Sequence, residues 1–178
     1  MPLDVAQLGQ VFTPPNVVGF MLDLCQNTGR VLEPSAGDGA FFHPLRQRLA
    51  DVTAIEIDRQ VAPEGVSVGD FFAYPLSEQF DTIIGNPPYV RFQDVAVDTK
   101  KCLKSALFDA RSNLFLFFIE KAIRHLKPGG ELVFIVPREF IKLTAAKKLN
   151  AWLYQQGCIT HFYETGDVRV FNGATPNC

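Results

Sequence analysis

Arg30-Val31-Leu32-Glu33-Pro34-Ser35-Ala36-Gly37-Asp38-Gly39-Ala40-Phe41 reads as a buried strand, a glycine-rich turn and the start of a helix. Gly37 and Gly39 open backbone conformations closed to other residues, and their missing side chains let a ligand approach the main chain. The spacing is not the G-x-G-x-x-G dinucleotide pattern, and no G-K-[ST] phosphate loop follows. An acidic Glu33 at the strand end suits a positively charged group rather than a pyrophosphate. The competing reading is a tight strand–helix turn that needs glycine only for its φ angles.

Outward from this turn, short apolar runs alternate with amphipathic stretches, the pattern of a parallel α/β sheet. Upstream, Thr13 before Pro14 and Pro15 predicts an N-cap and helix start. Val17, Val18, Phe20, Met21 and Leu24 then share one face, and Gly29 closes the helix. Downstream, the spacing predicts a helix over 41–49 and strands over 52–57, 66–68 and 80–84. The last of these must stop at Gly85-Asn86-Pro87-Pro88-Tyr89, because proline cannot donate to a ladder and disfavours helix at the residue before it. Residues 91–112 read as a loop with a helical stretch. A helix over 114–126, a Lys127-Pro128-Gly129-Gly130 turn, a strand over 131–136, a helix over 138–156 and a strand over 159–164 follow. The expected architecture is a mostly parallel sheet with helices on both faces.

The chain has 178 residues, enough for one substantial core. Hydrophobic residues make up 47% and charged residues 20%, an ordinary globular profile. Leu114–Ile119 and Leu132–Val136 are far too short to span a bilayer, and no signal peptide opens the chain, so the expected place is the cytoplasm. Cys25, Cys102, Cys158 and Cys178 form no C-x-x-C pair and read as reduced thiols; no metal site is expected. The net charge of −2 is unevenly spread. Residues 1–90 hold four Lys/Arg against eleven Asp/Glu; residues 91–178 hold thirteen against eight. The basic half begins directly after Tyr89, which fits a phosphate-facing surface, though each lysine also fits a solvated face.

Three strand ends carry further chemistry. Glu56 closes the second strand about twenty residues past the glycine turn, where a carboxylate can accept both hydroxyls of a ribose. Asp70-Phe71-Phe72 offers a carboxylate for an exocyclic amine beside aromatic surface for a purine; the alternative is a capping Asp before core phenylalanines. Asn86-Pro87-Pro88-Tyr89 is the most specific feature. An exocyclic amine on adenine is a poor nucleophile because its lone pair is conjugated into the ring. Two acceptors on its N–H groups localise that pair, and the Asn86 side-chain oxygen with the Pro87 carbonyl can serve. The tandem prolines stiffen the second acceptor, and Tyr89 supplies a face for the base, where stacking is worth ~1–3 kcal/mol.

In this order, the motifs resemble those of the gamma-type N6-adenine DNA methyltransferases of bacterial restriction–modification systems. The resemblance covers essentially the whole chain. It implies a Rossmann-like class I methyltransferase fold and S-adenosylmethionine as cofactor. Val11-Phe12-Thr13-Pro14-Pro15 resembles the N-terminal motif, which puts Thr13 at the methionine carboxylate. Leu32 to Phe41 resembles the cofactor motif, with Glu33 at the methionine amino group and Pro34, Ala36, Gly37 and Gly39 around the tail. By the same resemblance Glu56 and Ile57 hold the ribose and pack on the cofactor's adenine, Asp70 and Phe71 read that adenine, and Phe118 walls the pocket. Asn86 serves both cofactor and substrate, and Pro87, Pro88 and Tyr89 receive the target base. Asn86, Pro87 and Tyr89 form the catalytic set.

The family pattern continues past Val170-Phe171-Asn172-Gly173 with another strand and a separate target-recognition domain. Residues 1–178 are therefore expected to be a catalytic domain truncated at its C-terminus, lacking the last strand or strands and with low or no DNA methylation by itself. The implied reaction is direct transfer of a methyl group to adenine N6 in double-stranded DNA, on a base flipped out of the duplex. A restriction nuclease is the expected partner. A carbon-attacking mechanism would need a Pro-Cys nucleophile, and none of the four cysteines follows a proline. The competing functions are a protein glutamine or RNA adenine methyltransferase with the same motif, and a catalytically silent cofactor-binding subunit.

Overall fold

The computed structural model describes residues 11–157 and 159–165. Its helices are α1 (Pro15–Leu24), α2 (Phe42–Arg48), α3 (Val97–Cys102), α4 (Leu114–Arg124) and α5 (Lys147–Gln156). Its strands are β1 (Val31–Glu33), β2 (Val52–Glu56), β3 (Ser67–Val68), β4 (Phe80–Gly85) and β5 (Leu126–Phe134). The strands form one sheet in the order β3-β2-β1-β4-β5, and every pairing is parallel.

Alternation along the strands divides the core, because neighbouring residues point to opposite faces. Leu32 and Ile83 join Phe71, Phe117, Phe118 and Ala122 on the α4 side. Val31 and Ile84 join Val18, Met21, Leu22, Phe41 and Leu45 on the α1 and α2 side. Helix α4 is apolar nearly all round because its other flank, Phe115, Leu116 and Ile119, is covered by Ala146 and Leu149. Glu120, buried on this helix, pairs with Arg124 one turn on.

The order of strands sets the place of the site. From β1 the chain proceeds outward through β2 and β3, then returns to lay β4 on the opposite side of β1. A crevice opens outside the carboxyl ends of the strands where the order reverses, and ligands of open α/β sheets bind there. The glycine turn after β1 and Asn86 after β4 meet at that point.

Several local expectations are corrected. Thr13 is not the N-cap of α1. Pro14 occupies that position, its carbonyl accepting from Val17 and Val18 N–H at 3.0 Å, and no side chain caps the helix. Helix α1 ends at Leu24 rather than Gly29, since the Glu131 carboxylate takes the N–H groups of Gln26 (2.9 Å) and Asn27 (2.8 Å). The Lys127–Gly130 turn is instead a bulge within β5. Phe80 pairs with Leu126 and Thr82 already with Glu131, so the extra residues loop out, with Gly129 at φ +78°.

The helix expected over 138–156 is regular only from Lys147. Before it lie 3₁₀ turns at Arg138–Lys142 and Thr144–Ala146. Phe140, Leu143, Ala146 and Leu149 recur every third residue and share one cluster, with Leu143 in extended backbone between the two 3₁₀ turns. No strand forms over 159–164: these residues are exposed, and Tyr163 packs edge-on against Phe20 of α1 with ring centroids 4.7 Å apart. The Val170–Gly173 region lies outside the described residues. No helix among the described residues is long and apolar enough to cross a membrane. Burial pushes the Cys25 thiol up to about 12, leaving it an unreactive packed group.

Candidate active site

Strands β1, β2 and β4 deliver their last residues to one crevice. Its larger part is lined by Pro34, Gly37, Glu56, Ile57, Asp70, Phe71, Asn86, Pro88 and Phe118. Its empty space, counted out through the open mouth into solvent, is about 860 Å³. A smaller recess adjoins it, lined by Thr13, Glu33, Ala36, Gly37 and again Asn86. Gly37 and Asn86 belong to both parts, so the junction of recess and cleft lies between the glycine turn and the end of β4.

Glu56 is buried, and each of its carboxylate oxygens accepts from one backbone donor. Its Oε2 accepts from Gly37 N–H at 2.7 Å and its Oε1 from Asp58 N–H at 2.9 Å. One carboxylate thereby fixes the glycine turn and the exit of β2 while retaining lone pairs toward the cleft. Asp70 serves two purposes, since it does cap a 3₁₀ turn: Phe72 N–H donates to its Oδ1 at 2.8 Å. Its Oδ2 accepts from Thr99 Oγ1 at 2.6 Å. Phe71 is buried against Phe118 with centroids 5.2 Å apart. The Lys121 ammonium braces this turn from behind, donating to the carbonyls of Phe72 (2.7 Å) and Tyr74 (2.8 Å).

Asn86 is held by its nitrogen. Nδ2 donates to the Val11 carbonyl at 3.0 Å and to Thr13 Oγ1 at 3.2 Å. A carbonyl can only accept, so Val11 settles which end of the amide faces it. The oxygen Oδ1 is then the end left over, and it is buried without a hydrogen-bond partner. The same is true of Glu33 Oε2. Burial pushes the Glu33 carboxyl well above the usual carboxylate range, and the nearby Glu56 and Asp38 charges push it the same way. Two buried polar atoms without partners at one recess call for partners from outside the chain, because unmatched buried polar atoms are costly.

Not every expected residue reaches the crevice. Gly39 lies in the turn at φ +87°, away from both linings, and a Cβ there would meet His43 Nε2 and Pro63 Cγ at 2.9 Å. Gly37, at φ +55°, would seat an added Cβ without overlap, in ordinary contact with the Phe12 ring at 3.9 Å. The two glycines therefore separate experimentally. Gly39→Ala is expected to lower stability by ~2 kcal/mol or more through strain and overlap. Gly37→Ala is expected to cost only ~1 kcal/mol in stability but to weaken ligand binding about tenfold by filling the approach. Melting temperature and calorimetric affinity on both variants check this contrast.

Pro87 is buried and outside both linings. Tyr89 is also outside them: its hydroxyl donates to the Ile135 carbonyl at 3.0 Å and its ring meets Phe115 edge-on. Thr99, Val95 and Ala96 line the cleft from the segment after Tyr89 and were not legible beforehand, since no periodicity marks them. Phe12 lines both parts while 49% exposed. Its place beside Thr13 was the only available signal.

A family model described as the Eco57I restriction-modification methylase matches residues 50–171. The chain is 34% identical over 177 residues to the type II methyltransferase M.HincII of Haemophilus influenzae, covering 94% of this chain and 35% of that protein. It is 36% identical over 180 residues to the type II methyltransferase M.TthHB8I of Thermus thermophilus, covering 90% and 42%. The chain thus spans about a third of the length of the first of these relatives. A Listeria monocytogenes protein assigned to the class I S-adenosylmethionine-dependent methyltransferases superposes with a TM-score of 0.62 at 18% identity, over 81% of this chain and 52% of that one. A modification subunit assigned to a type I restriction enzyme of Vibrio vulnificus gives 0.60 at 19%, over 82% and 38%. These likenesses fix the fold as that of the class I methyltransferases. The matched residues run from β2 through α5, the stretch that carries Glu56, Asp70 and Asn86, and by that match the chain belongs to the Eco57I restriction-modification methylase family.

Proposed function

We propose that this chain transfers a methyl group from S-adenosylmethionine to N6 of adenine in DNA, as the modification activity of a restriction–modification system. The observation that carries the reading is the Asn86 amide: its nitrogen is clamped, its oxygen is buried without a partner, and the residue lines both recess and cleft. That relatives at 34–36% identity are named type II methyltransferases supports it.

The lining fits the cofactor. Bound there, S-adenosylmethionine supplies an electrophilic methyl group on a sulfonium centre. Glu33 takes the ammonium and Thr13 the carboxylate of the methionine tail. Pro34, Ala36 and Gly37 let that tail approach the main chain. Glu56 accepts the ribose hydroxyls, Asp70 accepts the cofactor's exocyclic amine, and Ile57, Phe71 and Phe118 enclose the purine. Asn86 Oδ1 and the Pro87 carbonyl accept the two N–H groups of the target amine, drawing its lone pair out of the ring. Tyr89, its hydroxyl tethered to the Ile135 carbonyl, offers a ring face to the extruded base beside Pro88. Positioning of this kind can supply ~7–11 kcal/mol.

Residues 1–178 act in this reading as the methyl-transfer domain, in the cytoplasm where the DNA lies, and residues outside it choose the DNA sequence. One relative is named as both a type II restriction enzyme and a methyltransferase, which supports a nuclease partner, fused or separate, in this reading. The reading is tested by incubating the full-length protein with double-stranded DNA and cofactor, then analysing nucleosides by mass spectrometry. N6-methyladenine is expected; methyl label confined to RNA, to protein glutamine or to cytosine overturns the assignment.

Glu33 gives the reading a pH dependence. The folded carboxyl binds its proton more tightly than in the unfolded chain, so this group favours folding most below its unfolded value, near 4.5, and less as pH climbs through the raised folded value. An ammonium ligand favours the carboxylate. Affinity is therefore expected to rise with pH through that window, with about one proton released per ligand bound. Calorimetry in two buffers of different ionisation heat reads this release, and Glu33→Gln should abolish it.

A further inference from the structure

Resting on the cofactor assignment above, we infer that Thr99 is the positioning residue through which the chain selects a 6-aminopurine in its cofactor. Asp70 has one donor on each oxygen: Phe72 N–H on Oδ1 at 2.8 Å and the Thr99 hydroxyl on Oδ2 at 2.6 Å. The first is local, within the turn. The second comes from α3, twenty-nine residues downstream, and Thr99 is itself only 5% exposed.

A free carboxylate rotates about its last bond and offers lone pairs in many directions. With both oxygens fixed, the plane of the Asp70 carboxylate is set, and the remaining lone pairs keep one direction. Asp70 and Thr99 both line the larger part of the crevice, so those lone pairs serve a donor from the ligand. Each oxygen already accepts one hydrogen bond and keeps lone pairs for another. The group therefore welcomes an N–H, such as the amine of adenine, and repels a carbonyl, such as the 6-oxo group of hypoxanthine. The Thr99 hydroxyl has one proton, and donating it to Asp70 leaves none for a 6-oxo group.

Thr99 also lies on the segment that follows the Asn86–Tyr89 motif, and with Val95 and Ala96 it forms one wall of the crevice. The hydrogen bond to Asp70 ties that wall to the turn that carries Phe71. The residue touches neither the sulfonium nor the target amine in this reading, so its loss belongs in cofactor recognition and not in the transfer step.

The test uses two probes on the full chain, S-adenosylhomocysteine and S-inosylhomocysteine, which differ at the purine 6-position and in the N1–H that accompanies the 6-oxo group. The parent protein is expected to bind the adenosyl form at least tenfold more tightly. Thr99→Val keeps the volume and removes the hydroxyl; it should weaken the adenosyl form about tenfold and shrink the preference to within about threefold. Thr99→Ser restores the hydroxyl and should restore the preference. In turnover, Thr99→Val should raise KM for the cofactor while kcat at saturation stays within about twofold. A Thr99→Val protein that keeps the full preference overturns the inference, as does a loss of preference that Thr99→Ser fails to recover. A parent protein that binds neither probe overturns the cofactor assignment instead, so the two failures are separable.

Discussion

Replacing Asn86 with alanine is expected to lower kcat for methyl transfer about 10²–10³-fold, the scale on which a single preorganised polar group aimed at the reacting atoms acts. Cofactor affinity should not survive untouched. The Asn86 nitrogen fastens the Val11 carbonyl and the Thr13 hydroxyl, and both residues line the crevice. Loss of two neutral hydrogen bonds, each worth ~1 kcal/mol, should weaken cofactor binding by about tenfold. Asn86→Asp separates the two roles. It supplies oxygen acceptors but no donor, and sets one of them against the Val11 carbonyl, so cofactor binding should suffer more than in Asn86→Ala. Single-turnover rates at saturating cofactor, with calorimetric affinities alongside, read both effects. A kcat within threefold of the parent in Asn86→Ala removes the acceptor role.

Glu56→Gln is expected to weaken cofactor binding about 10²-fold, nearly as much as Glu56→Ala. The reason is donor arithmetic. Two backbone N–H groups, of Gly37 and Asp58, point at the two carboxylate oxygens. A glutamine amide offers one oxygen and one NH₂, so one of those N–H groups would face another donor while buried. Hydrogen bonds to charged groups are worth ~1.5–3 kcal/mol, which is one to two decades of affinity before the ribose contacts are counted. The glycine turn, no longer anchored, also loses its shape. If Glu56→Gln binds the cofactor as the parent does, the carboxylate is not the ribose acceptor.

The fold was legible from sequence wherever the signal was local. Strand β1, the glycine turn and the stop of β4 before the tandem prolines follow from residue chemistry within a few positions, and Glu56, Asp70 and Asn86, each at or just past a strand end, line one crevice. What escaped was set by distant partners. Glu131 ends α1 from more than a hundred residues away, and the Lys127–Gly130 turn is drawn into β5 by the pairing of Leu126 with Phe80. The three-residue spacing of Phe140, Leu143, Ala146 and Leu149 was present in the sequence but matches a helix pattern closely enough to be taken for one. Thr13 illustrates the same limit within the site. Its local context proposed a cap, whereas its hydroxyl faces Asn86 across seventy-three residues.

The most direct test is the structure of the full-length protein with a non-reactive cofactor analogue and DNA. The account predicts an adenine outside the duplex with its N6 about 3 Å from both Asn86 Oδ1 and the Pro87 carbonyl oxygen, and the Nδ2 contact to Val11 unbroken. An Asn86 oxygen bonded within the protein, or a base other than adenine in that position, would contradict it.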